Sequence, residues 1–200
     1  MKHLVTILLA ALLFNPTADC QNDFFDEPIL KVSVFTHSIG IPFKDYVKRP
    51  LNLGLSVGVR FAYNKDSQNP LMQEIELSWF NHRHLNKALL VKTNFSKSFF
   101  TDSGFFASPE IGIGYMMDIT ENAAFKLDER GTYTRSSGIS HGFVTQLSVS
   151  LGRRFSRENK NDLVPFLKYE SMLQFPYSEF TPFLPHTMLH VGSKIFLSEN

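Results

Sequence analysis

Apolar residues occupy every second position over long stretches of this chain. Leu53, Leu55, Val57, Val59, Phe61 and Tyr63 are apolar, with Asn52, Gly54, Ser56, Gly58, Arg60 and Ala62 between them. A strand turns successive side chains to opposite faces, so this segment has one apolar face and one small or polar face. The same odd-numbered alternation runs over 75–79, 89–95, 111–117, 143–151, 167–175 and 189–195. An earlier segment, with Leu30, Val32 and Val34, does it on even numbers, and Phe35 falls on its other face. Helical periodicity is hard to find. The pattern predicts eight strands, mostly about ten to fourteen residues long. Ordinary globular strands run about five or six residues, whereas tilted membrane-crossing strands need about nine to eleven.

The connections between these strands alternate in length. Those at 38–50, 119–140 and 176–185 are long. Those at 64–70, 101–104 and 157–162 are short, and 82–87 is intermediate. Long connections at one end and tight turns at the other suit a membrane barrel with outer loops and periplasmic turns. The fifth connection is long enough to carry a hairpin of its own around Asp128, Glu129, Arg130 and Gly131.

A soluble barrel would show the same alternation with the apolar face inward. Three features favour the opposite arrangement. The polar face is rich in Gly54, Gly58, Gly112, Gly114, Ser148 and Ser150, which fit a crowded lumen better than a solvated sheet. Its charges come in both signs, with Lys31, Arg60, Lys92, Arg154, Lys168 and Lys194 against Glu74, Glu76, Glu110, Asp118 and Glu170. Such charges can pair in a narrow barrel and would be costly there alone. Aromatic residues of the apolar face lie toward its ends. Phe61, Tyr63, Phe99, Phe105 and Phe155 fall toward the short turns, and Trp79, Tyr115, Phe143 and Phe175 toward the long loops. Two aromatic girdles are expected where a barrel meets the membrane interfaces. Leu90, Val144, Met116, Met172, Phe166 and Phe196 are apolar on the inner face, and Pro109 and Pro165 interrupt strands.

The chain has 200 residues, 20 Lys+Arg and 19 Asp+Glu, hence a formal charge of +1. That balance gives no general attraction to nucleic acid, and no nucleic-acid partner is expected. Cys20 is the lone cysteine, so neither a disulfide framework nor a multi-thiolate zinc site is available. Residues 1–20 read as a signal peptide: Lys2 and His3, an apolar run from Leu4 to Phe14, then Ala18 and Cys20 at the −3 and −1 positions. Eleven helical residues rise about 17 Å, too little to span a bilayer core of about 30 Å. Cleavage after Cys20 is favoured over its acylation, because Thr17 and Asp19 flank the cysteine poorly for a lipoprotein. Residues 21–200 then form a single barrel domain.

In these respects the chain resembles small eight-stranded outer-membrane barrels of diderm bacteria. The last strand adds to the resemblance: His190, Gly192, Ile195 and Leu197 are similar to the C-terminal signal read by the barrel-assembly machinery, although Ser198, Glu199 and Asn200 follow. The resemblance implies an all-β, eight-stranded, antiparallel, up-and-down transmembrane β-barrel in the bacterial outer membrane. It implies a lipid bilayer around the wall, the assembly machinery as a partner, and a monomer.

Sites of chemistry are sparse. There is no phosphate-binding glycine loop, no nucleophile elbow and no H-E-x-x-H. Gly112-Ile113-Gly114 reads as lumen packing. His82 and His84 share a side in extended structure, yet no third ligand is nearby. Ser140, His141, His186 and Ser193 are the parts available to a lipid A-modifying barrel enzyme, but no acid matches them. No catalytic residue, metal ligand or cofactor is therefore expected. The residues singled out are Arg60, Glu74, Glu76, Lys92, Glu110, Lys168 and Glu170, read as a structural charge network that plugs the lumen. An ion or proton pathway is the other reading of the same groups. The expected role lies in the outer loops, in surface interaction, adhesion or envelope integrity with an unidentified extracellular partner. The alternatives are the lipid A-modifying enzyme and a soluble secreted calycin-like carrier.

Overall fold

The computed structural model describes residues 28–40, 52–63, 69–82, 86–120, 125–127, 133–135, 138–154, 163–177 and 181–196. The strands are β1 (Ile29–Ile39), β2 (Asn52–Ala62), β3 (Leu71–His82), β4 (Asn86–Lys97), β5 (Phe99–Phe100), β6 (Phe105–Thr120), β7 (Phe125–Leu127), β8 (Tyr133–Arg135), β9 (Ile139–Arg153), β10 (Leu163–Phe175) and β11 (Leu184–Phe196). Eight of them form one antiparallel sheet, and the β4–β6 pairing and the β1–β11 pairing close it into a barrel. β5 extends the short-turn end of β4, opposite Ala107 and Phe106 of β6. β7 pairs with β8, so the fifth connection does carry its own hairpin.

Each strand pairs with its neighbours in sequence, which is the up-and-down order the alternation implied. The register sets the tilt. From Lys31 the pairs run through Gly58, Glu76, Lys92, Gly114, Val144, Gln174 and Leu184. Leu184 lies two places beyond His186, the partner of Ile39. The path therefore returns about ten residues above its start, and eight strands with that offset tilt by about 40°. A twelve-residue strand at that tilt rises about 30 Å, which matches a bilayer's hydrocarbon core.

The apolar wall is on the outside. Leu147 is 64% exposed and Val191 63%, while Glu76 and Lys168 are 0% exposed. Gly54 and Ser148 are buried as well. The soluble carrier needed this wall to enclose a cavity, and the fold reverses that arrangement. In β1 the even residues face outward, and Phe35 is buried in the lumen beside Phe80. The aromatic rows are present at both rims. Tyr115, Phe143, Phe175 and Phe183 follow one another with ring centroids 5.9–6.4 Å apart at the loop end. Tyr63 stacks with Phe95 near the turn end. Phe155 lies outside the described residues, as do residues 1–27 with the proposed signal peptide and Cys20.

The two prolines sit where the ladder has no need of their missing N–H. Pro109 falls in the gap between the Ser96–Glu110 and Phe99–Ala107 pairs. Pro165 lies just past Phe166–Gly152, the last pair between β10 and β9.

Val149 is exposed on the outer wall near mid-strand, opposite Tyr169 and Pro109. Val149→Lys is expected to cost about 2–4 kcal/mol, because a lysine near the bilayer midplane loses its hydration. Urea titration of the chain folded into lipid vesicles measures it. A change near zero means that Val149 does not face hydrocarbon.

Candidate functional site

The inward positions of all eight barrel strands converge on one polar layer. Glu76 of β3 is its centre, with the ammonium groups of Lys92, Lys31 and Lys168 at 3.0, 3.3 and 3.4 Å. Lys168 of β10 also reaches Glu170 at 2.8 Å and Glu110 at 3.3 Å. Lys92 bonds Glu170 at 2.6 Å, and Lys31 bonds Glu74 at 2.6 Å. Arg60 of β2 lies 3.1 Å from Glu74 and 3.7 Å from Glu110, and it also donates to Ser96. β9 contributes Ser148 and Ser150, whose hydroxyls donate to Glu110 at 3.2 and 3.0 Å. β11 contributes His190, 3.4 Å from Glu170 and 3.2 Å from the Ser33 hydroxyl.

All seven residues singled out in the sequence thus meet in one network, joined by Lys31. Its charges balance: Lys31, Arg60, Lys92 and Lys168 face Glu74, Glu76, Glu110 and Glu170. Alternation explains the convergence, because each of these residues occupies an inward position of its strand. Distant segments are joined by register: Glu76 is paired with both Gly58 and Lys92 across the sheet.

Two expectations about the wider charge set are corrected. Lys194 and Arg154 make no ion pair among the described residues. The Lys194 ammonium lies 4.0 Å from the Phe106 ring centroid, and the Arg154 guanidinium 4.7 Å from that of Phe196. Both are near the turn end, where aromatic rings rather than carboxylates lie in direct contact with them. The ring quadrupole there takes the place of a counter-ion. Asp118 is at the opposite end and accepts a bond from Gln174 at 2.7 Å.

The inward apolar residues, which alternation left unexplained, form two clusters around the charged layer. Phe106, Val164 and Phe166 pack at the turn end with Phe100 and Phe196. Phe35, Phe80, Ala88, Leu90, Met116, Val144, Met172 and Met188 pack toward the loop end. Lys31 lies 5.5 Å from the Phe166 ring, and the His190 ring lies tilted against that of Phe35 with centroids 4.6 Å apart, so both clusters touch the charged layer. Beyond the second cluster lies a smaller polar chain. His37 stacks on Phe80 at 3.9 Å and meets His186 at 2.9 Å; His186 meets Gln174 at 3.1 Å. The sequence reading missed this chain, although His37 and His186 occupy the same inward face as their strand neighbours.

The parts of a lipid-facing hydrolytic triad are not brought together. His186 points into the lumen, whereas His141 is exposed on the outer wall and stacks on Tyr115. Arg83 and His84 lie outside the described residues. Among the described residues no three His, Cys, Asp or Glu side chains are grouped for a metal ion.

No family model matches the chain, and no curated protein matches it. Several solved structures are similar. Neisserial surface protein A is 10% identical with a TM-score of 0.47, over 84% of this chain and 96% of that one. The attachment invasion locus protein Ail of Yersinia pestis is 11% identical with a TM-score of 0.42, over 84% and 98%. The backbone structure of the outer membrane protein Ail in a phospholipid bilayer nanodisc gives 9% identity and a TM-score of 0.40, over 84% and 99%.

Proposed function

We propose that this chain is a monomeric bacterial outer-membrane barrel with a plugged lumen, whose role is carried by its outer loops. The observation that carries the reading is the pairing of an apolar exterior with a charge-balanced, buried interior. An exterior of exposed Leu, Val, Ile and Phe has lipid as its natural solvent. An interior of mutually paired Lys, Arg and Glu between two apolar clusters, among the described residues, supports a plugged lumen over a proton or ion pathway. What remains free to meet another molecule is the set of connections at the loop end. Tyr177 and Phe183 are exposed there. Most of the loop residues lie outside the described ones, including Phe43, Tyr46 and Phe180.

Surface interaction, adhesion and envelope integrity are the roles such loops serve, with an extracellular partner. The last strand, with His190 and Gly192, is the segment offered to the assembly machinery.

Planar-bilayer recording on the refolded chain tests the reading. The expected result is a barrel that needs detergent, migrates differently on gels before and after heating, and carries no steady current. Stable single-channel steps overturn the plugged lumen. A chain that stays dispersed without detergent overturns the membrane assignment.

A further inference from the structure

The outer wall carries a groove of about 700 Å³ near the tight turn at Thr101–Gly104. We propose that it holds one anionic glycerophospholipid of the leaflet on the short-turn side, with an acyl chain in the groove and the phosphate at Arg153. The proposal rests on the membrane reading above.

The register explains the groove. Phe99, Ala107, Leu151, Leu167 and Val191 are successive outward partners on five adjacent strand segments, and all five line it. Four strand spacings of about 4.8 Å give a track of about 19 Å, somewhat more than the thickness of one hydrocarbon leaflet. Ala107 is the small member of this row, so the floor dips between Phe99 and Leu151. Phe105 stands on the turn side of the dip, and Gly152 and Gly192, whose Cβ positions face away from the groove, line it with backbone alone. The volume falls within the about 300–1,000 Å³ of ordinary small-molecule sites.

Charge selects the headgroup. Arg153 lines the groove on its turn side, opposite Phe105, and its guanidinium lies 4.8 Å from that ring's centroid. Lys97 lies 5.6 Å from the Phe99 ring, so a second cation stands beside the first member of the row. A guanidinium presents paired donors that match phosphate oxygens. Aromatic residues at this level mark the membrane interface, where a phosphate resides while its chains run inward.

Native mass spectrometry of the full chain released from micelles tests the proposal, with phosphatidylglycerol or phosphatidylcholine added. The expected result is one phosphatidylglycerol retained per barrel, at least tenfold more than phosphatidylcholine. Ala107→Trp fills the groove and is expected to cut retention at least tenfold. Arg153→Gln is expected to bring phosphatidylglycerol down to the phosphatidylcholine level. Leu77→Trp, on the outer wall away from the groove, is expected to retain lipid as the parent does. Heat-dependent gel migration reports whether each variant is folded. If Ala107→Trp does not fold, Arg153→Gln decides. A folded, detergent-requiring barrel whose variants all hold lipid as the parent does overturns the groove and leaves the membrane reading intact. A parent chain soluble without detergent overturns both.

Discussion

Glu76→Gln is expected to destabilise the barrel by about 3–5 kcal/mol, the usual cost of removing one partner from a buried ion pair. The substitution keeps the shape and removes the charge. Three lysine ammonium groups, those of Lys31, Lys92 and Lys168, lie within 3.4 Å of the Glu76 carboxylate. Without it the eight-charge network carries one excess positive charge, in a lumen where Glu76 and Lys168 are fully buried. The remaining carboxylates are already shared: Glu170 holds Lys92 and Lys168, and Glu74 holds Lys31 and Arg60. Adding Lys92→Met restores the balance. The double variant is expected to lose less than the sum of the two single ones, by a coupling of about 0.5–3 kcal/mol. Urea titration in vesicles measures all three. Strict additivity means that the network is a row of independent contacts.

The second large effect is at the seam where the barrel closes. Gly192 of β11 lies opposite Ser33 of β1. A Cβ built on it collides with the Val32 carbonyl oxygen and comes within 2.8 Å of the Ser33 Cα. These are backbone atoms of the partner strand and cannot swing aside as a flexible side chain can. Gly192→Val is therefore expected to cost about 3 kcal/mol, the upper end of overpacking penalties, by prising β1 from β11. Gly142 is a useful contrast, since its closest neighbours would be the side-chain atoms of Gln174 at 3.2 Å. Gly142→Ala is expected to stay within about 1 kcal/mol of the parent. Equal losses at the two positions remove the claim that close strand approach at the seam requires glycine.

Strand number, order and facing were legible in the sequence because membrane and lumen act on alternate residues. The seven network residues were legible for the same reason: each puts a charge on the inward face that the alternation defines. Which charges pair was not legible. That depends on the register offset, which brings Lys168 to Glu76 from 92 residues away. Lys194 shows the limit. By pattern it belongs with the other lumen cations, yet the tilt sets it over Phe106. The inward Leu90, Met116 and Met172 looked like exceptions to the alternation. They become intelligible once the lumen is seen as layers, since a narrow barrel filled with charge throughout would lack enough partners. The groove at Ala107 was hidden because its five outward residues come from separate strands.

Trp79 is the single tryptophan and stands exposed on the outer wall, next to the fully buried Phe80. Its fluorescence in the refolded, vesicle-bound parent chain tests directly whether this wall meets hydrocarbon. Lipids brominated on their acyl chains are expected to quench it strongly, and aqueous iodide only weakly. Strong iodide quenching with no effect of the brominated chains would contradict the account, because the wall would then lie in water.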